Sequence, residues 1–280
     1  MARTAALAPT RIAAAPPAAY FVVSAIFHYL GPSFAVLLFA RVDPLGVAWL
    51  RVASAGAAFA LWRRPWHALR ARPVIALGVV LAVMNACFYI AIDRLPLGTV
   101  AAIEFLPVIV LAALGVRTAR NLAALVLAIA GVYALVDVRL QGEPVGVAFA
   151  FANALLFSAY IVLAHRIART SAPIDGLAAG MLVATVAVTP IGLASAAPAL
   201  LDPIAIAAGI GVGLASSVIP YVFDQLAMAR LSRAGYALMV SLLPATATVI
   251  GLVVLAQVPT PLEATGVALV VAAMMLRSEG

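Results

Sequence analysis

Two opposite charges interrupt long apolar runs in this sequence. Arg51 stands in Trp49-Leu-Arg-Val-Ala-Ser-Ala-Gly56, and Glu104 in Ala101-Ala-Ile-Glu-Phe-Leu-Pro107. Charge at bilayer depth is costly; where it persists it serves a solute path, a proton relay or an ion pair. Each residue lies about seven positions inside its run, roughly 10 Å at the helical rise. Equal depth lets the two form a salt bridge or share one polar cavity. As a functional pair they would bind a charged or zwitterionic solute, with Glu104 also suited to exchanging a proton. As a structural pair they would fix helix packing.

Other polar groups fall on helical faces. Asn85 and Tyr89 are four apart, and Asn153, Phe157 and Tyr160 share a face across two turns beside Ser158. Amides and phenols can hydrogen-bond a solute without charge, or tie helices together in lipid. His28 and Tyr29 in the first run are further candidates. Asp224 lies near the end of its run, facing the same cavity or reaching interfacial water, and the adjacent Gln225 points elsewhere. Pro107, Pro220 and Pro244 stand inside runs, where each removes a backbone donor and makes a fixed kink, a hinge or an accessible carbonyl. Gly209-Ile-Gly-Val-Gly213 has neither the lysine nor the strand of a phosphate loop, so close helix packing is its expected role. Cys87 is the only cysteine and is expected to pack as a small apolar residue. There is no HExxH and no nucleotide-binding cassette, so neither metal, cofactor nor enzyme activity is expected.

Composition says what must hold these residues. The chain has 280 residues, 66% hydrophobic and 10% charged, with a mean hydropathy of +1.17. Soluble domains carry about 25% charged residues, so lipid must face the excess here. Ten spans are expected, at 17–39, 44–62, 73–92, 97–114, 121–137, 145–163, 174–194, 204–227, 235–256 and 261–276, with the fifth and tenth short. A cleaved signal peptide is not expected, because the first apolar run is too long for one.

All 17 basic residues among Lys and Arg are arginine. With the N-terminus cytoplasmic, 13 arginines fall on the cytoplasmic side and only Arg41, Arg94 and Arg139 opposite, Arg51 being within a span. That bias follows the positive-inside rule and puts both termini in the cytoplasm. Nucleic acid is not an expected partner, because no basic domain gathers the arginines. Small-residue faces serve internal and intersubunit packing alike, which leaves the oligomeric state open.

The halves also resemble one another. Ala91-Ile-Asp-Arg-Leu, followed by small residues and Leu106-Pro107, is echoed by Ala227-Met-Ala-Arg-Leu and Leu243-Pro244. Five spans per half would set the copies in opposite orientations, as in many secondary transporters. The expected fold is therefore all-α, a polytopic membrane protein of ten helices in two inverted five-helix repeats, 17–137 and 145–276.

Several stretches carry a resemblance to a known family. They are Asp43-Pro44 through Arg51 to Gly56, Met84-Asn85 to Tyr89, Arg94-Leu-Pro-Leu-Gly98 to Glu104, Ile219-Pro220-Tyr221-Val-Phe-Asp224, and Arg230-Leu through Leu243-Pro244. In their order and spacing the chain resembles the EamA branch of the drug/metabolite transporter superfamily, and within it the bacterial threonine/homoserine exporters. The resemblance implies a multi-pass transporter of the bacterial inner membrane with a central cavity open alternately to each side. It also implies export of a small amino acid, driven by protons. Arg51, Asn85, Tyr89 and Glu104 fall at the subgroup's characteristic polar positions, and Tyr221 and Asp224 lie in a matching stretch. Two departures stand out: Leu243 replaces an acid usual before the proline, and Asp224 stands where glutamate is more usual.

On this reading Arg51 meets the solute carboxylate, Glu104 meets the ammonium or carries the proton, and Asn85, Tyr89, Asn153 and Tyr160 line the path. A neutral or aromatic metabolite, or a drug, is the alternative cargo. A membrane enzyme or structural protein accounts less well for polar residues spread at mid-depth over several spans.

Overall fold

Proline sets where most of the helices begin. Its fixed φ suits the first helical turn, and its missing N–H would have had no partner there. In the computed structural model, which describes residues 17–107, 110, 118–140, 143–168, 170, 172–228 and 243–276, the described residues form ten helices, with short 3₁₀ turns at Trp66–Ala68 and Ala197–Leu201. They are α1 (Pro17–Leu38), α2 (Pro44–Arg63), α3 (Arg72–Arg94), α4 (Leu97–Glu104), α5 (Ala119–Leu140), α6 (Pro144–Ala168), α7 (Pro173–Ala196), α8 (203–228), α9 (Leu243–Leu255) and α10 (Pro261–Leu276). Proline is the first residue of α1, α2, α6, α7, α8 and α10. Side chains complete several starts. Asp43 Oδ1 accepts from Leu45 N at 3.0 Å. Thr260 and Glu263 cap α10 reciprocally, Thr260 N donating to Glu263 Oε2 at 2.9 Å and Glu263 N to Thr260 Oγ1 at 3.2 Å.

Among the described residues six helices are long and apolar enough to cross a membrane, and 119–135, 243–255 and 261–276 are shorter apolar helices. Large apolar side chains face outward, with Val186 74% and Val253 76% exposed, while Arg51, Glu104 and Asn153 are buried. That inversion of a soluble protein, with composition, makes this a multi-pass membrane protein. The fifth span is longer than expected: α5 continues to Leu140, because no glycine or proline intervenes between Asp137 and Gly142. α4 is interrupted after Glu104, and helix resumes at 106–107. The expected continuation at 108–114 lies largely outside the described residues, as do 235–242 of the ninth span, much of the second repeat motif, and Arg3, Arg11, Arg117, Arg169, Arg230, Arg233 and Arg277.

The loops meet as the expected alternation of sides requires. Arg41 pairs with Asp202 at 3.0 Å, Arg94 with Glu143 at 3.6 Å and Arg63 with Asp175 at 2.7 Å. Arg120 Nε donates to the Leu276 carbonyl at 2.5 Å. Each pair joins loops or helix ends assigned to one side. Asp202 also caps α8, and the N–H of Ala205 first, then Ile204 N–H and Arg41, hold its carboxyl below the usual range.

Glycine lets the helices approach closely, the common device where lipid is as apolar as leucine. α2 lies along α7, α5 along α10, α3 along α6 and α7, α1 along α8 and α9, and α4 along α9 and α6. A Cβ on Gly131 would stand 2.7 Å from Gly266 O, and one on Gly266 2.9 Å from Gly131 O. At Gly46 a Cβ would stand 2.6 Å from the backbone oxygen of Ser195. A backbone atom cannot rotate away, so Gly46→Ala must push α2 from α7. We expect a loss of about 1–3 kcal/mol, read as a lower unfolding midpoint in detergent; an unchanged midpoint would show that the α2–α7 contact yields freely.

Candidate functional site

The polar centre begins with an irregularity in α8. This helix runs Pro203–Gly213, makes a π-helical turn at Leu214–Val218, and resumes at Ile219–Met228. Pro220 has no N–H to give the carbonyl four residues back, which is Ser216. Arg51 takes that oxygen: its Nη2 donates to Ser216 O at 2.8 Å, and its Nε donates to Ser217 Oγ at 2.9 Å. Two glycines give the turn room. A Cβ on Gly31 of α1 would fall on Ser216 Oγ, and one on Gly213 would stand 2.6 Å from Arg51 O. Gly209 likewise packs on Leu50, so the glycine run serves close packing at 209 and 213, as expected.

Tyr89 supports the cation, its ring centroid 5.5 Å from Arg51 Cζ. Desolvated cation–π contacts of this kind orient a guanidinium without neutralising it. Tyr89 is in turn flanked edge-on by Phe39 at 6.0 Å and Phe88 at 5.9 Å. Its companion Asn85 is buried but turned back on its own helix, Nδ2 donating to Leu81 O at 2.8 Å.

Glu104 occupies a second station. Asn153 Nδ2 donates to its Oε1 at 3.0 Å, and α4 breaks immediately after it, three residues before Pro107. Arg51 and Glu104 form no salt bridge within 4.0 Å among the described residues, so the direct pair that equal depth permits is not made. Each charge is held by neutral partners instead, and each is only 4% exposed.

Aromatic rings connect the stations. Phe105 meets Phe157 edge-on at 5.5 Å, Phe157 stacks on Tyr160 at 5.8 Å, Tyr160 on Tyr221 at 5.7 Å, and Tyr221 approaches His28 at 6.1 Å. The expected Asn153–Phe157–Tyr160 face is thus used whole, once for Glu104 and twice for the ring series. Asp224 lies about one turn beyond Tyr221 on α8, where Ser24 Oγ donates to its Oδ1 at 2.6 Å beside Pro220 O at 3.1 Å. It belongs to an α1–α8 cluster that adjoins Tyr221 on the same helix. A cleft of about 160 Å³ between α4, α9 and α10, lined by Thr99, Thr248, Gln257 and Glu263 among others, is apart from the centre.

Sequence reading missed Ser24, Ser216 and Ser217. Serines among glycines and alanines look like packing residues; the one available signal was Ser216 standing four before Pro220.

Comparison with known proteins places this arrangement. Residues 144–278 match the EamA-like transporter family. The threonine/homoserine exporter RhtA of Escherichia coli strain K12 is 30% identical over 252 residues, covering 88% of this chain and 85% of that protein. RhtA of Salmonella typhimurium strain LT2 is 29% identical over the same shares of each. A solved crystal structure aligns over 93% of this chain and 97% of its own with a TM-score of 0.62 at 20% identity, a likeness of fold alone. The match to the RhtA exporters across both halves, with the family model over the second, means that this chain belongs to the EamA-like transporter family.

Proposed function

We propose that this protein exports a small amino acid of the threonine/homoserine type across the bacterial inner membrane. The observation that carries the reading is the separation of Arg51 from Glu104. Two opposite buried charges held apart by neutral partners are matched by a solute bearing one charge of each sign. The carboxylate goes to Arg51, whose planar fork suits it, and the ammonium to Glu104. The exporters to which the chain is similar carry such zwitterions by name. Glu104 is also the group proposed to exchange the driving proton.

The transport scaffold we infer is two inverted repeats, 17–137 and 145–276, with both termini cytoplasmic. The helix contacts support it. Adding five to each helix number, and returning to one after ten, maps α2–α7, α4–α9 and α5–α10 onto themselves. The same operation exchanges α3–α6 with α1–α8 and α3–α7 with α2–α8. Gly131 facing Gly266 reciprocally fits a pseudo-two-fold axis there. Such halves rock about a midplane site in alternating access.

The series Phe157, Tyr160, Tyr221 favours a second reading, a neutral aromatic cargo stacked on these rings. Counterflow in proteoliposomes separates the two. Saturable exchange of labelled threonine, inhibited by homoserine and not by neutral aromatics, is expected. Exchange blocked only by aromatics would replace the amino-acid reading with the second.

A further inference from the structure

We propose that the polar centre grips both ends of a free α-amino acid through six groups, and that Tyr29 and Ser216 are two of them. This rests on the roles proposed for Arg51 and Glu104. Four side-chain atoms are buried without a hydrogen-bond partner among the described residues: Tyr29 Oη, Tyr89 Oη, Asn153 Oδ1 and Ser216 Oγ. Their residues are fully enclosed. Orphaned buried polar atoms are rare in proteins, and hydrocarbon offers no water in compensation. These four come from four helices, α1, α3, α6 and α8, and sort into two groups.

The first group is at Arg51. Ser216 belongs to the turn that holds the guanidinium, and Tyr89 lies against it. The Arg51 guanidinium and the two hydroxyls make three donors for a carboxylate. The second group is at Glu104. Asn153 is bonded to Glu104 through its nitrogen, which leaves its oxygen as an acceptor. Tyr29 meets His28 at 5.5 Å, at the far end of the ring series that starts at Phe105 beside Glu104, within electrostatic reach of both the Glu104 and the Asp224 carboxylates. Glu104 Oε2, Asn153 Oδ1 and the Tyr29 oxygen make three acceptors, the number a primary ammonium needs for its three N–H bonds. A neutral aromatic solute would satisfy neither set.

The site therefore demands a primary ammonium and an ionised carboxylate on one molecule. The test is inhibition of labelled-threonine counterflow by threonine, by its N-methyl derivative and by its carboxamide. N-methylation removes one N–H, and the amide removes the negative charge. Each should weaken inhibition of the wild type by about tenfold or more. Tyr29→Phe should shrink the N-methyl penalty to about twofold and leave the amide penalty intact, since one charge-assisted bond is removed. Ser216→Ala should do the reverse, with Ser216→Cys as the second variant where the alanine protein fails to fold. A merely structural role moves neither ratio. Variants that exchange threonine with both ratios unchanged would overturn this inference, assign the orphaned atoms to water, and leave the transport reading standing. Wild-type protein that exchanges no α-amino acid would overturn both.

Discussion

Glu104→Gln is expected to cut threonine exchange by about tenfold to a hundredfold while the protein folds normally. The substitution is nearly isosteric, and glutamine keeps a carbonyl oxygen to accept from Asn153 Nδ2, a bond of 3.0 Å in the native protein. Only the charge and the titratable group disappear. A hydrogen bond to a charged group contributes roughly 1.5–3 kcal/mol, so exchange at sub-saturating solute should fall about tenfold to a hundredfold. The readout is initial counterflow rate at several pH values, beside an unfolding midpoint in detergent. That fall at every pH is the expected result. Exchange that survives while pH-gradient-driven transport is lost would confine Glu104 to the proton. Full activity in both assays would end any role for its carboxylate.

Arg51→Ala should fail in two ways. Transport is expected to be lost because the carboxylate has no cation to meet. Stability is expected to fall as well, since Ser216 O loses the donor that stands in for the missing Pro220 N–H. An unsatisfied buried carbonyl costs about 1–3 kcal/mol. Arg51→Lys divides these effects. One ammonium can still reach Ser216 O, but it cannot serve Ser217 Oγ and a carboxylate as a planar fork does. It should recover most of the midpoint and little of the transport. Pro220→Ala in the Arg51→Ala background restores a backbone donor at position 220, and part of the lost stability should return without activity. A double variant no more stable than Arg51→Ala would mean that the arginine, not the proline, governs the π-helical turn.

Both expectations concern residues conspicuous in the sequence. A charge within an apolar run has few explanations in lipid, so Arg51 and Glu104 were legible from type and position. Helix starts were legible too, because proline at 44, 144, 173, 203 and 261 suits a first turn. So was the grouping of loops by side, since arginine placement alternates and the ion pairs Arg41–Asp202 and Arg63–Asp175 respect it.

The tertiary structure decided who meets whom. Helical periodicity tells which residues share a face, and it carries nothing about which helix that face meets. Asn153 could be put beside Phe157 and Tyr160 from spacing, but only packing of α6 on α4 brought it to Glu104. Ser216 and Ser217 lie 165 and 166 residues from Arg51. They reach it because Gly31 and Gly213 let three helices close on a turn wound differently from its neighbours. The sequence by itself determined a membrane-spanning helical chain with opposite charges inside its apolar runs. The separation of those charges was decided by the fold, because neutral partners from distant helices could satisfy each one where it stood.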